Sequence, residues 1–393
     1  MNYDVIIVGA GFAGATLANL FAKDNKKVLV LEKRNHIGGN MYEEKRDNGI
    51  RVHLYGPHIF HTNDKEVFEY LNNFTEFYFY EHRVQANINN VLVPVPFNFK
   101  SIELLFDREK ANSIKQKLKK EYKDASKVSI LELLENKDPE IKEFGKFVYE
   151  NIFVHYTAKQ WNTSIENVDT SVINRVPVLL GYDDRYFQDQ YQFMPKNGYN
   201  EIFENMLDSK NIEVKLSIDA NKIISIKNNK IYYHEKEFKG VLIYTGQIDE
   251  LFAYEYGPLP YRSLKLKFED KKMNYYQPTS VVNYTISEKY TRITEFKYLS
   301  NQVLDKNTTI LKEYPLTYNY KNEKHIPYYA ILNEENKKLY DKYYQEAKKI
   351  NNLYLCGRLA EYKYYNMDAV IKRAMDLYKE IEGVQEKWKV KRK

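Results

Sequence analysis

Residues 4–40 read DVIIVGAGFAGATLANLFAKDNKKVLVLEKRNHIGGN, and the remaining segments fall into place around them. Asp4–Val8 is an apolar, β-branched run, which predicts a strand buried on both faces. Gly9, Gly11 and Gly14 follow at once with the spacing G-x-G-x-x-G. The first permits a tight turn, the second lets a pyrophosphate approach the backbone, and the third lets a helix pack on the strand. That helix is predicted over Ala15–Lys23, with its first amides offered to phosphate. Val28–Leu31 predicts a second strand, and Glu32 closes it where an acidic side chain takes ribose hydroxyls. A glycine fingerprint alone is weak evidence. Set between a strand and a helix, with its acidic residue in place, it predicts dinucleotide binding. Glu32 would repel a 2′-phosphate. His36-Ile-Gly-Gly39-Asn40 leans toward FAD, because two glycines let a second loop pass close to a long, extended cofactor.

The chain has 393 residues, enough for a large core and two or three lobes. Sixty basic and 54 acidic residues give a net charge of +6 without long single-sign blocks, which suits a small anionic substrate better than nucleic acid. A single cysteine, Cys356, excludes a disulfide framework and a cysteine-cluster metal site. No apolar run approaches membrane-spanning length and no signal peptide precedes Asp4, so a cytoplasmic protein without stable membrane insertion is expected.

Further along, His53, His58 and His61 crowd a short stretch around the Gly56-Pro57 turn. They lack acidic or cysteine companions at ligand spacing, so a histidine held near a cofactor ring is expected rather than a metal. Thr62 or Asn63 is the expected cap of a helix over Lys65–Asn72. Val84–Asn89 and Val91–Val95 predict a hairpin. Residues 100–150 turn lysine- and glutamate-rich with helical periodicity. Val172–Phe187, punctuated by Gly, Asp and Pro, predicts a mobile loop in which Arg175 is either a diphosphate clamp or a surface arginine. Short strands follow to Thr245-Gly246, where a strand ending on glycine meets a cofactor. Asn352–Arg358 and the helix over Ala369–Glu382 decide for FAD: a second strand–glycine–helix end, with Arg358 as its cation, reaches the same cofactor.

These segments predict an α/β fold. A Rossmann-like FAD-binding domain (1–80, 190–250 and 350–382) carries an inserted helical lobe with a mobile substrate lid (100–188). An antiparallel β-sheet substrate lobe (81–99 and 255–330) presents Asn283, Arg292 and Tyr314. Residues 383–393 are expected as a frayed basic tail.

Several motifs resemble the bacterial UDP-galactopyranose mutase family: GAGFAG with EKRNHIGGN, YGPHIFHTND (55–64), YTAKQW (156–161), NRVP (174–177), RYF (185–187), YTGQID (244–249), YRSLK (261–265), TRITEFK (291–297), KEYPL (312–316) and GRLAEYKYYNMD (357–368). They run in order through nearly the whole chain. The resemblance implies an isomerase without net redox change, interconverting UDP-galactopyranose and UDP-galactofuranose. Its reduced FAD attacks the anomeric carbon through N5, UDP leaves, the sugar ring opens and recloses, and UDP returns. The same reaction on UDP-N-acetylgalactosamine, or a flavin oxidoreductase of the same fold, is the alternative.

Carried over by resemblance, Arg175, Arg292 and His61 are catalytic. The cofactor set is Gly9, Gly11, Ala13, Gly14, Glu32, Lys33, Gly39, Asn40, His58, Ile59, Gly246, Arg358, Met367, Asp368, Ala369 and Val370. The substrate set is Phe153, Tyr156, Thr157, Trp161, Arg175, Tyr186, Asn283, Arg292, Tyr314, Tyr364 and Asn366. Asn366 departs from the family's usual aspartate, yet an amide still accepts a hydrogen bond. The expected partners are a UDP-sugar, NAD(P)H or another reductant, and a second copy in a homodimer; no metal and no nucleic acid is expected.

Overall fold

A computed structural model describes residues 3–154, 177–286 and 288–391, with side chains described up to residue 151 in the first stretch and up to residue 383 in the last. Its base is a five-stranded parallel sheet in the order Ile212–Lys215, Val28–Leu31, Val5–Val8, Val241–Tyr244, Leu353–Leu355. The order reverses direction between Val5–Val8 and Val241–Tyr244, and ligands of such sheets bind at the carboxyl ends of the strands at that switch. Gly9 and Thr245 lie there, with Thr245 Oγ1 donating to Val8 O at 2.7 Å. The apolar runs seen in the sequence are buried as expected: Val5, Ile6, Ile7 and Val28–Leu31 are all 1% exposed or less.

The first helix spans Phe12–Lys23 and starts three residues earlier than predicted, because Gly11 itself is the N-cap. The helix Lys65–Leu71 is capped by Asp64, whose carboxylate accepts from Val67 N. Thr62, an expected cap, instead donates to Asp368 at 2.9 Å and accepts from Asp64 N. A helix over Glu334–Lys348, capped by Asn333, was not anticipated from the sequence. The last helix runs Met367–Lys391 rather than ending at Glu382, so the expected frayed tail is helical as far as Lys391. Gly383 is one isolated glycine, whose cost of about 1 kcal/mol does not stop a helix.

A seven-stranded sheet stands beside the parallel one, in the order Tyr329–Ala330, Tyr261–Lys271, Thr308–Thr317, Arg292–Glu295, Val281–Tyr284, Val84–Ile88, Val91–Val95. The expected sheet is antiparallel except at one pair, where Val281–Tyr284 runs parallel to Val84–Asn87. That pair joins segments far apart in the chain, so no hairpin dictates its direction. The predicted hairpin at Asn89-Asn90 forms, both residues having positive φ. Helices Phe99–Leu105, Arg108–Glu121, Ile130–Leu134 and Pro139–Val148 pack on its outer end around Ile102, Ile114, Leu118 and Phe144. A three-stranded sheet, Phe60–Thr62, Tyr191–Pro195 and Phe77–Phe79, bridges the two larger sheets and carries His61.

Candidate active site

The glycines build a cradle with the shape expected for an extended dinucleotide. Gly9 has φ +103°, and a Cβ there would meet Thr245 Oγ1 at 2.2 Å. Gly11 and Gly39 face one another: a Cβ on Gly39 would lie 3.1 Å from Gly11 Cα. Gly357 sets the end of the last strand against Ala13 and Val370, so the first turns of the first and last helices converge. The opening amides of the first helix have no intrahelical partner, which makes that point an anion site. Glu32 is 7% exposed, and its two oxygens accept from the amides of Ala10 and Arg34 at 2.8 and 2.9 Å. The carboxylate is thus fixed at the strand end with further lone pairs to offer a ribose. Arg34 stacks over Tyr55 and donates to Asn40. The Lys33 amine lies 2.9 Å from Glu250 and 3.8 Å from Asp219. Residue Lys33 follows Glu32 in an irregular segment, so the two side chains point apart.

A second cluster sits on the turn at Gly56. His58 places its Nδ1 in a buried position without a hydrogen-bond partner among the described residues. Burial first, then His53, Arg358 and Arg292, hold the His58 imidazole well below the ordinary histidine range. An uncharged imidazole with a buried, unsatisfied ring nitrogen is what a polar ligand edge would complete. Ile59 beside it is 9% exposed. These features fit a flavin.

The seven-stranded sheet presents a face defined by its register. Asn283 lies opposite Arg292, and Arg292 opposite Glu313, so the three share one face. Arg292 Nε donates to Glu313 Oε1 at 2.6 Å, and Glu313 is 2% exposed. Arg262 and Tyr329 pair across the edge strands on that same face, in phase with Glu313. Tyr329 stacks on Tyr364 with ring centroids 5.7 Å apart, and the Arg358 guanidinium lies 4.8 Å from one ring and 5.1 Å from the other. Tyr364, expected in the substrate set, thus lies against Arg358, expected in the cofactor set. Tyr314 does not join Arg292. It follows Glu313 in one strand, so the pleat turns it to the opposite face, where it meets Tyr290. Glu313, Tyr329 and Arg262 were not singled out from the sequence. The alternation along KEYPL would have separated Glu313 from Tyr314, whereas the two-residue strand holding Tyr329 gives no periodic signal.

His61 Nδ1 lies 2.9 Å from Asp189 Oδ2, and its ring stacks on Phe187 at 3.6 Å. Asp189 is held below the usual carboxylate range by that histidine. Phe187 also stacks on His82, which packs edge-on against Tyr186. Asn366 precedes the last helix, its carbonyl accepting from Val370 N, and Asp368 bonds Thr62 and Ala369 N. Gly246 closes its strand against the Tyr244 ring. Tyr156, Thr157, Trp161 and Arg175 lie outside the described residues, as does the side chain of Phe153. No group of three His, Cys, Asp or Glu side chains converges to hold a metal among the described residues.

His82 yields a stability prediction. Burial, then Arg292 and His61, pushes its imidazole down to about 3 from 6.5. Above pH 6.5 both folded and unfolded forms are uncharged there, and His82 contributes no pH dependence. Below it the unfolded chain takes a proton that the folded chain refuses, so stability falls by up to about 1.4 kcal/mol per pH unit until the folded group titrates. His82→Gln, which can still accept from Ser280, should flatten this fall. Thermal melts between about pH 6.5 and 4 check it; parallel curves for both proteins count against it.

Comparison with known proteins places the chain. Residues 151–364 match the family model described as UDP-galactopyranose mutase, and residues 7–74 match that of an NAD(P)-binding Rossmann-like domain. UDP-galactopyranose mutase of Mycoplasma genitalium is 36% identical over 376 residues, 94% of this chain and 92% of that protein. The chain belongs to the UDP-galactopyranose mutase family. It is an isomerase of that family, with a flavin as cofactor. A second relative in the mutase family, dTDP-fucopyranose mutase of Escherichia coli, is 33% identical over 376 residues, 95% of this chain and 96% of that protein. A crystal structure of reduced UDP-galactopyranose mutase shares the fold with a TM-score of 0.73 at 16% identity, covering 97% of this chain and 96% of the other. No helix of this mutase-family chain is long and apolar enough to cross a membrane among the described residues.

Proposed function

We propose that the chain interconverts UDP-galactopyranose and UDP-galactofuranose with FAD in its reduced form. The observation that carries this reading is the register-defined face on which Asn283, Arg292 and Glu313 align, with Arg358 against the stacked rings of Tyr329 and Tyr364. Reduced flavin, when bound, supplies the nucleophile that takes the anomeric carbon from UDP. The chain's own residues hold what has left. Glu313 orients the Arg292 fork, and a guanidinium recognises a diphosphate through paired N–H groups. Tyr364 and Tyr186 offer hydroxyls to the phosphates. Retention matters because the same UDP must return to the same carbon after the ring has reclosed. A detained leaving group reacts at effective concentrations far above any free in solution. Arg175, Trp161, Tyr156 and Thr157 complete this reading as the remaining nucleotide and sugar contacts. Gly11, Gly39, Glu32, Asn40 and Met367 belong to its cofactor side.

NAD(P)H as reductant, a homodimer and a cytoplasmic location belong to the same proposal. The test is anaerobic: dithionite-reduced protein with UDP-galactofuranose should yield UDP-galactopyranose without consuming an electron acceptor, as read by chromatography. dTDP-fucopyranose serves as the competing substrate. Conversion that needs stoichiometric oxidant, or turnover of the dTDP-sugar alone, overturns the reading.

A further inference from the structure

The hairpin of Glu43–Lys45 and Arg51–His53 sits behind the His58 turn and has no part in the chemistry described so far. Its register puts Glu43 directly opposite His53. Both side chains are 3% exposed, and His53 Nε2 lies 3.1 Å from Glu43 Oε1. On the other side of the same imidazole, the backbone N–H of His58 donates to His53 Nδ1 at 3.0 Å. An amide N–H only donates, so Nδ1 is the accepting nitrogen and the ring proton sits on Nε2, facing the carboxylate. The tautomer is therefore fixed from both ends. Glu43 is itself anchored: its second oxygen accepts from Tyr199 N at 2.8 Å, and its backbone exchanges two hydrogen bonds with the Asn200 amide. Tyr199 closes the circle by donating its hydroxyl to His58 O at 3.3 Å. Both main-chain polar groups of His58 are thus held, while its ring nitrogen Nδ1 is left buried without a hydrogen-bond partner among the described residues.

We propose that Glu43 and His53 are positioning residues for the flavin: the carboxylate orients the imidazole, the imidazole fixes the His58 amide, and the His58 ring is thereby aimed at the cofactor. The inference rests on the reading of this turn as a flavin contact. A buried carboxylate–imidazole pair commonly tunes a site it does not touch, by fixing orientation and tautomer. Displacing a contact group by an ångström is enough to slow a reaction by one or two orders of magnitude. Leu54 and Gly56 add their own backbone bonds to Tyr42 O and His53 O, so the turn remains a turn when the imidazole chain is broken. What is lost is its aim.

The test uses flavin-loaded Glu43→Gln and His53→Gln, with Arg51→Gln as control. Arg51 stands 3.9 Å from the same carboxylate but outside the chain to His58. Glu43→Gln cannot accept from both Tyr199 N and His53 Nε2 through its single oxygen. It should lower kcat about tenfold and shift the visible absorption bands of the bound flavin, while KM for the UDP-sugar stays within about twofold. Arg51→Gln should match the unaltered protein in all three. Full kcat and an unshifted flavin spectrum in folded Glu43→Gln overturn the proposal, as does an equal change in Arg51→Gln. Nitrogen-15 spectra of histidine-labelled protein give a readout independent of the flavin. They should show the Nε2–H tautomer of His53 in the unaltered chain and its loss or mixing in Glu43→Gln. A Nδ1–H tautomer in the unaltered chain overturns the positioning role, whereas a protein that takes up no flavin, with the tautomer as stated, defeats the site reading alone.

Discussion

Gly11→Val is expected to give a folded protein that no longer holds flavin. Gly11 has φ −81° and ψ −172°, extended backbone that valine adopts without strain. A Cβ there would find only Gly39 Cα, at the ordinary contact distance of 3.8 Å. The protein itself therefore tolerates the added carbon. The two further methyls, however, project into the gap between the loops at Gly11 and Gly39, which the phosphates would cross to reach the helix amides. Affinity for flavin should fall by about a thousandfold or more, equivalent to roughly 4 kcal/mol. Flavin absorbance after gel filtration, set beside the melting temperature of each flavin-free protein, checks it. Stoichiometric flavin in the variant would refute the cradle. Gly14→Val serves as the contrast, because its Cβ would lie 1.9 Å from Gly9 O and the fold itself must give way.

The second large effect is expected at Arg292. Replacing it by alanine should lower kcat/KM by about 10²- to 10³-fold, the range seen when a preorganised donor to developing charge is removed. The same change strands Glu313, 2% exposed, without its guanidinium, and a buried carboxylate left unpaired costs about 3–5 kcal/mol. Two losses are thus superposed, and they can be separated. Arg292→Ala combined with Glu313→Gln removes the stranded charge and should recover most of the melting temperature while turnover stays low. Arg292→Lys keeps a cation but loses the fork, and should fall in between. If the double variant regains turnover along with stability, Arg292 supports the sheet and does not serve the substrate.

How far the sequence could be read depended on how local each signal was. The strand at Val5, the glycine loop and the strand ending at Glu32 are specified by contiguous residues, and they fold as the spacing implies. The face that carries Arg292 was legible only in part. Arg292 stands in a quoted motif and Asn283 on an expected strand, but their shared face is a property of register between strands, which no single stretch encodes. Tyr314 was misplaced for that reason, and Tyr329 was missed. Asp189 lies 128 positions beyond His61 in the chain, so the bond between them left no trace in local spacing. Glu43 and His53, by contrast, stand in one hairpin, but three-residue strands carry too little pattern to be read.

The parallel sheet places the loop after Val8 beside that after Leu355, although the ribosome makes one near the start of translation and the other long afterwards. Neither alone can enclose a nucleotide. The two ends of the cradle meet only once Leu353–Leu355 has joined the sheet, so cofactor capture is expected to follow closure of the fold. Mutations near the far strand would then show themselves first as poor flavin loading in freshly made protein.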